Sequence, residues 1–303
     1  MDTLNIRTVN LSYSYSKGVN TLENINLLVN EGDIYGFLGP NGSGKTTTLR
    51  LLLGLLKNQN GKIEIFGKSL QNNRREILKN IGSLIESPSL YSHLSAKENL
   101  EVYRNVYNQP KSRIQEVLKI TDLLEVGEKS VKEYSLGMKQ RLAIALSLLP
   151  KPKLMILDEP TNGLDPTGIL DLRNLIKKLN KEEGITFIIS SHILPEIEKL
   201  VNRIGIISKG KIQFQGSLKE LQELQQKHIF LHINTSNNNK ALSVLESFQP
   251  KMVNGEILLN SQDSNQSAQI NRLLVQENID VYDLHTMRPT LETIFVNLTN
   301  TKQ

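Results

Sequence analysis

The stretch "GPNGSGKT", Gly39–Thr46, decides the fold of this 303-residue chain. It matches the pattern G-x-x-x-x-G-K followed by Ser or Thr, in which glycines let the loop fold tightly enough for its backbone N–H groups to surround phosphate oxygens. Lys45 is then placed to contact the β- and γ-phosphates of a nucleotide, and the Thr46 hydroxyl is suited to bind Mg²⁺. The residues expected to hold the nucleotide phosphates are Gly39, Asn41, Gly42, Ser43, Gly44, Lys45, Thr46 and Thr47.

Strands and helices alternate on both sides of this loop. The apolar run Ile34–Leu38 precedes it, and an apolar helix is predicted over Thr47–Leu56. Further along, "KLMILDEP", "ITFIISSH" and "RIGIISKG" predict strands, with helices near Ile169–Asn180 and Leu194–Val201 between them. Residues 71–150 have a mostly helical pattern and are expected to form a helical insertion. The alternation predicts an α/β fold with a mainly parallel sheet.

Two carboxylates stand at the end of the apolar strand in "LMILDEP", Leu154–Pro160. At such a strand end Asp158 can hold Mg²⁺, usually through water. Glu159 beside it can orient and deprotonate a water for in-line attack on the γ-phosphate. By itself the pair is equally well an acidic turn, but the phosphate loop upstream favours the catalytic interpretation.

His192 follows another apolar strand, in "SSHIL". The carboxyl ends of parallel strands meet at one edge of a sheet, where ligands bind. His192 is therefore expected to face the γ-phosphate as a donor or sensor. The other histidines, His93, His228, His232 and His285, are interpreted as structural.

A second phosphate-binding helix start is predicted in "YSLGMKQRLAIAL". Ser135 and the backbone N–H groups that follow it can bind an anion where the helix begins, although the same pattern also describes an ordinary capped helix. One nucleotide rarely needs two such helix starts from one chain. The pair therefore indicates two copies that share two nucleotides across a twofold axis.

The order "GPNGSGKT", "YSLGMKQ", "LMILDEP", "NGLD", "SSH" resembles the ATP-binding-cassette (ABC) ATPases over about residues 1–217. The resemblance implies that Ser135 and Gly137 contact ATP held by Lys45 of the partner subunit, and that Asp165 occupies the D-loop position. It also implies an aromatic residue that stacks on adenine, for which Tyr15 matches best and Tyr13 is the rival. The chain departs from the family's usual Leu-Ser-Gly-Gly-Gln signature at Leu136 and Met138.

Glu86, in "IGSLIESP", marks a further departure. At this position the family usually has a Gln that contacts Mg²⁺ and senses the membrane partner, which is expected to dock near Glu86–Tyr91. A glutamate at this position resembles the bacitracin-resistance and lantibiotic-immunity subgroup of bacterial transporters, which carry Glu there. The C-terminal extension that contains "LETIF" resembles the same subgroup. The resemblance adds Glu86 to the candidate nucleotide and metal ligands, beside Thr46 and Asp158.

The composition shifts near Ser217, where an Asn- and Gln-rich region begins. It still alternates apolar runs with helical patterns. Together with the resemblance, this boundary predicts a P-loop ABC-type nucleotide-binding domain over 1–217, with a helical subdomain at about 71–150, and a small C-terminal accessory α/β domain over 218–303.

Composition limits the other possibilities. The chain has no cysteine, a net charge of +5, and no apolar run of the roughly 18 residues that could span a bilayer. No aromatic-basic pattern favours nucleic acid. The resemblance implies the ATPase subunit of a bacterial exporter that confers immunity or resistance to lantibiotic or bacitracin-type antimicrobial peptides. It also implies an ATP- and Mg²⁺-dependent homodimer that is peripheral to the cytoplasmic face of the membrane and bound to a separate permease. The alternatives are the ATPase of an ABC exporter for another substrate, a soluble regulatory ATPase of translation or DNA repair, and a P-loop kinase.

Overall fold

The computed structural model describes residues 4–16, 18–86, 89–226, 229–253, 255–261, 264–287 and 290–300. The chain forms two compact units, one that extends to Leu218 and one from Lys219 to Asn300. The strands of the first unit are β1 Leu4–Tyr13, β2 Leu22–Ile25, β3 Leu28–Asn30, β4 Ile34–Leu38, β5 Asn60–Ile65, β6 Lys68–Ser69, β7 Ile81–Leu84, β8 Leu154–Leu157, β9 Thr186–Ser191, β10 Arg203–Ser208 and β11 Lys211–Ser217. Its helices are α1 Lys45–Leu52, α2 Leu70–Leu78, α3 Ala96–Val106, α4 Ser112–Ile120, α5 Leu136–Leu148, α6 Pro166–Glu183 and α7 Leu194–Glu198, and α8 Leu218–Gln226 crosses the boundary between the units.

The predicted parallel sheet is confirmed. Six strands lie in the order β11-β10-β4-β9-β8-β7, and every neighbouring pair is parallel except β10 with the edge strand β11. Strands β4, β8 and β9 are buried along their whole length, as expected for parallel strands covered on both faces. The carboxyl ends of β4, β7, β8 and β9 therefore meet at one edge of the sheet.

The region 71–150 differs from the prediction. It contains β7, which pairs in parallel with β8 and completes the central sheet, so the helices α3, α4 and α5 follow that strand instead of forming an uninterrupted insertion. A four-residue strand that includes Gly82 gives too short an apolar run to be distinguished from a helix segment by periodicity. A 3₁₀ turn, Val131–Glu133, precedes α5.

Side-chain caps define where several helices begin. Ser95 and Glu98 form a capping box at the start of α3. Asp165 accepts a hydrogen bond from the backbone N–H of Gly168 at the start of α6, which has Pro166 as its first residue. That helix ends at Gly184, whose φ of 67° suits glycine.

A second, antiparallel sheet completes the first unit. Its strands lie in the order β2-β1-β5-β6, and β3 also pairs with β1. Side chains of this sheet, α1 and the central sheet share one apolar core, which includes Ile6, Leu49 and Ile156. This core fixes the loop that precedes α1 against the central sheet.

The second unit is an antiparallel sheet with helices packed on it, in agreement with the predicted alternation. It consists of β12 Ile229–Thr235, β13 Lys251–Val253, β14 Glu256–Ser261, β15 Val281–Met287, α9 Asn238–Val244, α10 Ser264–Gln276 and α11 Leu291–Asn300, with a 3₁₀ turn at Glu246–Phe248. The strand order is β13-β14-β12-β15. Leu231, Ile257 and Ile270 are among the residues of its own apolar core.

Candidate nucleotide-binding and hydrolysis site

The loop between β4 and α1 is packed too closely to carry side chains at two of its glycines. A Cβ atom on Gly39 would lie 2.3 Å from the carbonyl oxygen of Ile207. Gly44 has a φ of 109°, and a Cβ atom there would lie 2.4 Å from Cδ2 of Leu22. Both positions therefore need glycine. The buried Ser43 hydroxyl has no hydrogen-bond partner within the described chain, so the loop contains a polar group that suits a phosphate oxygen.

Lys45 is the first residue of α1, and its side chain is almost completely buried. Its Nζ donates hydrogen bonds to the carbonyl oxygens of Gly39 at 2.8 Å and Pro40 at 3.3 Å. It also lies 3.2 Å from Oε1 of Glu159. An ammonium group between the loop and this carboxylate can neutralise negative charge on a transferred phosphoryl group.

Thr46 and Asp158 join the loop to the end of β8. The Thr46 hydroxyl donates to Oδ2 of Asp158 at 2.7 Å, and Asp158 is only 8% exposed. In the described ranges, no group of three or more His, Asp or Glu residues could hold a metal ion. Two oxygen ligands fit Mg²⁺, which keeps several waters and takes further ligands from nucleotide phosphates.

Glu159 has a left-handed backbone conformation, with a φ of 45°. This conformation is unusual for a residue other than glycine and is concentrated at functional sites. Oε2 of Glu159 lies 2.7 Å from Nδ1 of His192, while its Oε1 faces Lys45. The structure thus joins the three predicted catalytic side chains in one chain of contacts.

Ser190 is the residue of this site that sequence analysis missed. It is fully buried in β9, its hydroxyl donates to Oδ1 of Asp158 at 2.5 Å, and it accepts the backbone N–H of Glu159 at 2.8 Å. One hydroxyl therefore positions both carboxylate residues. Its position in the sequence, two residues before His192, could have indicated this role. β8 and β9 are parallel neighbours, so residues at the carboxyl end of β9 lie close to those that follow β8.

Tyr15 lies beside the start of α1, as an adenine-stacking residue would require. Its hydroxyl is 3.3 Å from the Thr47 hydroxyl, and the residue is 57% exposed. The rival Tyr13 meets it edge-on, with ring centroids 5.0 Å apart, and packs against the apolar core. Of the two rings, that of Tyr15 is the more exposed, so Tyr15 stays the predicted adenine-stacking residue.

Glu86 follows β7 with a φ of 63° and forms an ion pair with Arg50 of α1. Arg50 is one helical turn after Thr46, so Glu86 reaches the helix that carries a predicted metal ligand. Its contact on that helix is the guanidinium group. Ser87 and Pro88, within the predicted docking segment Glu86–Tyr91, lie outside the described residues.

Ser135 and Gly137 lie at the start of α5. The Ser135 hydroxyl accepts the backbone N–H of Met138 at 3.2 Å, which is an N-cap. Near the other end of α5, the Ser147 hydroxyl donates to the Ser83 carbonyl of β7 at 2.9 Å. The helical rise places Ser135 roughly 18 Å from Ser147 along the axis. The carboxylate of Asp165, for its part, caps α6.

The other described histidines contact a neighbouring ring or carboxylate. The ring of His93 meets that of Tyr91 edge-on. Nδ1 of His232 lies 3.0 Å from a carboxylate oxygen of Glu256, and Nδ1 of His285 lies 2.9 Å from one of Asp283. His228 lies outside the described residues.

Comparison with known proteins identifies the family. A sequence profile described as ABC transporter matches residues 22–162. The chain is 43% identical to the bacitracin transport ATP-binding protein BcrA of Bacillus licheniformis, over 97% of this chain and 96% of that protein. The chain belongs to the ABC transporter family. The resemblance seen in the sequence is confirmed, and with it the assignment as an ATP-binding subunit, an ATPase of transport.

Other members of the ABC family support the assignment. The lantibiotic transport ATP-binding protein SrtF of Streptococcus pyogenes is 44% identical over 72% of this chain and 95% of its own length. The solved structure of cbiO1 from Clostridium perfringens, part of the ABC transporter complex cbiONQ, has a TM-score of 0.68 and 30% identity, and it covers 75% of this chain and 94% of its own. The solved structure of a dimeric ATP-binding cassette bound to ADP and Pi has a TM-score of 0.63 and 28% identity. The match covers 70% of this chain and 98% of that chain.

The ABC fold accounts for the strand-end geometry described above and for nucleotide binding by this chain. None of the helices in the described part of the chain is long and apolar enough to cross a membrane.

Proposed function

We propose that this chain hydrolyses ATP for a bacterial exporter that gives immunity or resistance to bacitracin- or lantibiotic-type antimicrobial peptides. The observation that carries the proposal is the near full-length similarity to a bacitracin transport ATP-binding protein. Similarity to a lantibiotic transport ATP-binding protein supports the same class of substrate. Bacitracin and lantibiotics are both peptide antibiotics, so the proposed transported substrate is a peptide of that kind.

In the proposed reaction, Glu159 accepts a proton from the water that attacks the γ-phosphorus of ATP. Its contact with His192 at 2.7 Å supports a role for the histidine in orienting this carboxylate. Lys45 and the backbone N–H groups of the loop stabilise charge on the phosphate oxygens. Thr46 and Asp158 would hold Mg²⁺, with Glu86 as a further proposed ligand, and the ion would supply charge neutralisation at the phosphates.

The proposed active assembly is a homodimer with two shared nucleotides. Ser135 and Gly137 of one copy would contact the ATP held by Lys45 of the partner subunit, and Asp165 would lie in the same interface. The capped start of α5 supports this proposal, since it has the backbone geometry of an anion site. The two-copy arrangement of a related cassette supports it further.

The two units suggest a division of roles. We assign the nucleotide-binding domain to residues 1–217 and an accessory role to residues 218–303, in accord with the compact units. The proposed location is the cytoplasmic face of the bacterial membrane, where a separate permease would bind the chain. The multi-subunit transporter that contains a related protein supports this arrangement.

A susceptibility experiment tests the substrate. One strain of a sensitive host expresses the wild-type chain with its membrane partner, and a second strain expresses the Glu159→Gln variant of the chain with the same partner. The first strain should survive higher concentrations of bacitracin or a lantibiotic than the second. Equal survival of the two strains against every such peptide, with wild-type ATPase activity present, would overturn the proposed substrate class. Resistance to an unrelated compound alone would indicate an exporter of another substrate.

A further inference from the structure

A cavity of about 400 Å³ lies between the end of α1, strand β5 and the start of α2. Its apolar wall contains the half-buried Leu56 and three almost fully buried residues, Leu51, Ile63 and Leu70. Cavities of this size are in the range that binds small molecules. The residues expected to bind nucleotide are absent from its wall, so this cavity is separate from the site described above.

Three exposed cations, Lys57, Lys62 and Arg74, also line the cavity. Within the described residues, none of these three side chains forms an ion pair with a carboxylate. The described wall includes one carboxylate, that of Glu64, which lies 3.6 Å from the guanidinium group of Arg7. The cavity therefore has an excess of positive charge, which favours an anionic ligand.

The Arg74 side chain extends from α2 over the backbone of Gly54. A Cβ atom on Gly54 would lie 2.7 Å from Nε of Arg74, and Gly54 has a φ of 61°. Because Gly54 has no side chain, the guanidinium group has room at this wall of the cavity. In the described part of the chain the guanidinium group has no hydrogen-bond acceptor, so its N–H groups remain available to an anion.

A neighbouring cavity of about 590 Å³ shows a different balance of charge. Its described lining contains three cations and three carboxylates. Two of its cations are paired with carboxylates of the same lining, Arg7 with Glu64 and Lys68 with Glu76. The smaller cavity combines an apolar wall with unpaired cations, which suits a molecule that has an apolar body and an anionic end.

We propose that the cavity between α1, β5 and α2 binds a small organic anion with an apolar body, such as an aliphatic carboxylate. The carboxylate group would lie among Lys57, Lys62 and Arg74, and the aliphatic chain would lie against the apolar wall. Such a ligand would contact Leu51, on the same helix that begins at Lys45. The inference does not rest on the proposed function, because it involves neither ATP nor a membrane partner.

Calorimetric titration of the full-length wild-type chain with decanoate, below its micellar concentration, tests the proposal. Decanoate should bind. Acetate, which lacks the apolar body, and decyltrimethylammonium, which has the opposite charge, should not bind at the same concentrations. Octanoate measures the apolar contribution, since each methylene removed from the buried chain should weaken binding about four-fold.

A charge-neutralised variant tests whether decanoate binds in this cavity. The variant that combines Lys57→Gln, Lys62→Gln and Arg74→Gln should bind decanoate about three- to one-hundred-fold more weakly than the wild-type chain, because three exposed charge contacts are lost. The matched control loses three exposed lysines of α6, which form no ion pair among the described residues. It carries Lys177→Gln, Lys178→Gln and Lys181→Gln, and should bind decanoate like the wild-type chain.

The proposal is overturned if decanoate does not bind, if decyltrimethylammonium binds equally well, or if the cavity variant and the α6 control have the same affinity for decanoate. Binding to phosphatidylglycerol vesicles without binding to free decanoate would indicate a membrane-binding surface in place of the proposed small-molecule site. These titrations contain no nucleotide, so a negative result would leave the proposed ATPase function unaffected.

Discussion

The Nδ1 atom of His192 lies 2.7 Å from Oε2 of Glu159, and the other carboxylate oxygen of Glu159 lies 3.2 Å from Nζ of Lys45. The three residues come from three separate parts of the chain and meet at the carboxyl edge of the central sheet. The carboxylate is thus held between a cation and an imidazole. This arrangement favours Glu159 as the group that orients and deprotonates the attacking water.

Glu159→Gln should lower kcat for ATP about 10²- to 10⁴-fold, because an amide cannot accept the proton of the attacking water. ATP binding should be retained, and the ATP-bound dimer should accumulate. Steady-state phosphate release and size-exclusion chromatography with ATP measure the two effects. Glu183→Gln, at the exposed end of α6, is a matched control. Wild-type turnover by Glu159→Gln would refute the assignment of the base.

Ser190→Ala should leave Oδ1 of Asp158 and the backbone N–H of Glu159 without their buried partner. The expected cost is about 1–3 kcal/mol in the free energy of unfolding. The fall in kcat should exceed the rise in KM, because the carboxylates lose their alignment while the phosphate loop is untouched. Denaturant unfolding and steady-state kinetics measure these quantities.

Ser191→Ala provides the control for that change. Ser191 is the next residue of β9 and is also buried, but its hydroxyl bonds the backbone of Ile193. We expect a comparable loss of stability with a smaller loss of kcat. If the two alanine variants have the same kcat, Ser190 does not position the catalytic carboxylates.

Ser135→Ala should remove the N-cap of α5 and cost about 1 kcal/mol in stability. It should also weaken ATP-dependent dimer formation and lower ATPase activity, because the proposed trans contact is lost. Ser95→Ala removes another N-cap, that of α3, and should lower stability without affecting dimer formation. Analytical ultracentrifugation in a Glu159→Gln background compares the two. Equal dimer formation by both variants would argue against the shared-nucleotide arrangement.

Ile233→Ala should destabilise the second unit by about 2–5 kcal/mol, because it opens a cavity at a fully buried position of β12. Hydrogen exchange should become faster within residues 219–300 while ATP affinity stays at the wild-type value. Ile188→Ala in β9 is the matched change in the first unit and should accelerate exchange there. Reduced ATP affinity in Ile233→Ala alone would show that the second unit contributes to nucleotide binding.

Local sequence patterns predicted the elements whose signals lie within a few residues. The loop Gly39–Thr46 and the strand end at Asp158 each combine an apolar run with polar residues at fixed spacing, so their type and order could be inferred. Strand β7 and the short strand β13 were missed, because four- and three-residue segments give no reliable period.

The sequence by itself determined the alternating α/β order, the phosphate loop and the family, because these depend on residues that are close along the chain. Tertiary structure alone decided which side chains share a contact. Ser190 meets Asp158 across 32 positions and Arg50 meets Glu86 across 36, so no pattern within either segment identifies the partner residue. Parallel strand pairing creates the first contact by bringing β8 and β9 to one edge. The second forms because β7 ends beside α1, so the ion pair between Arg50 and Glu86 exists only in the folded chain.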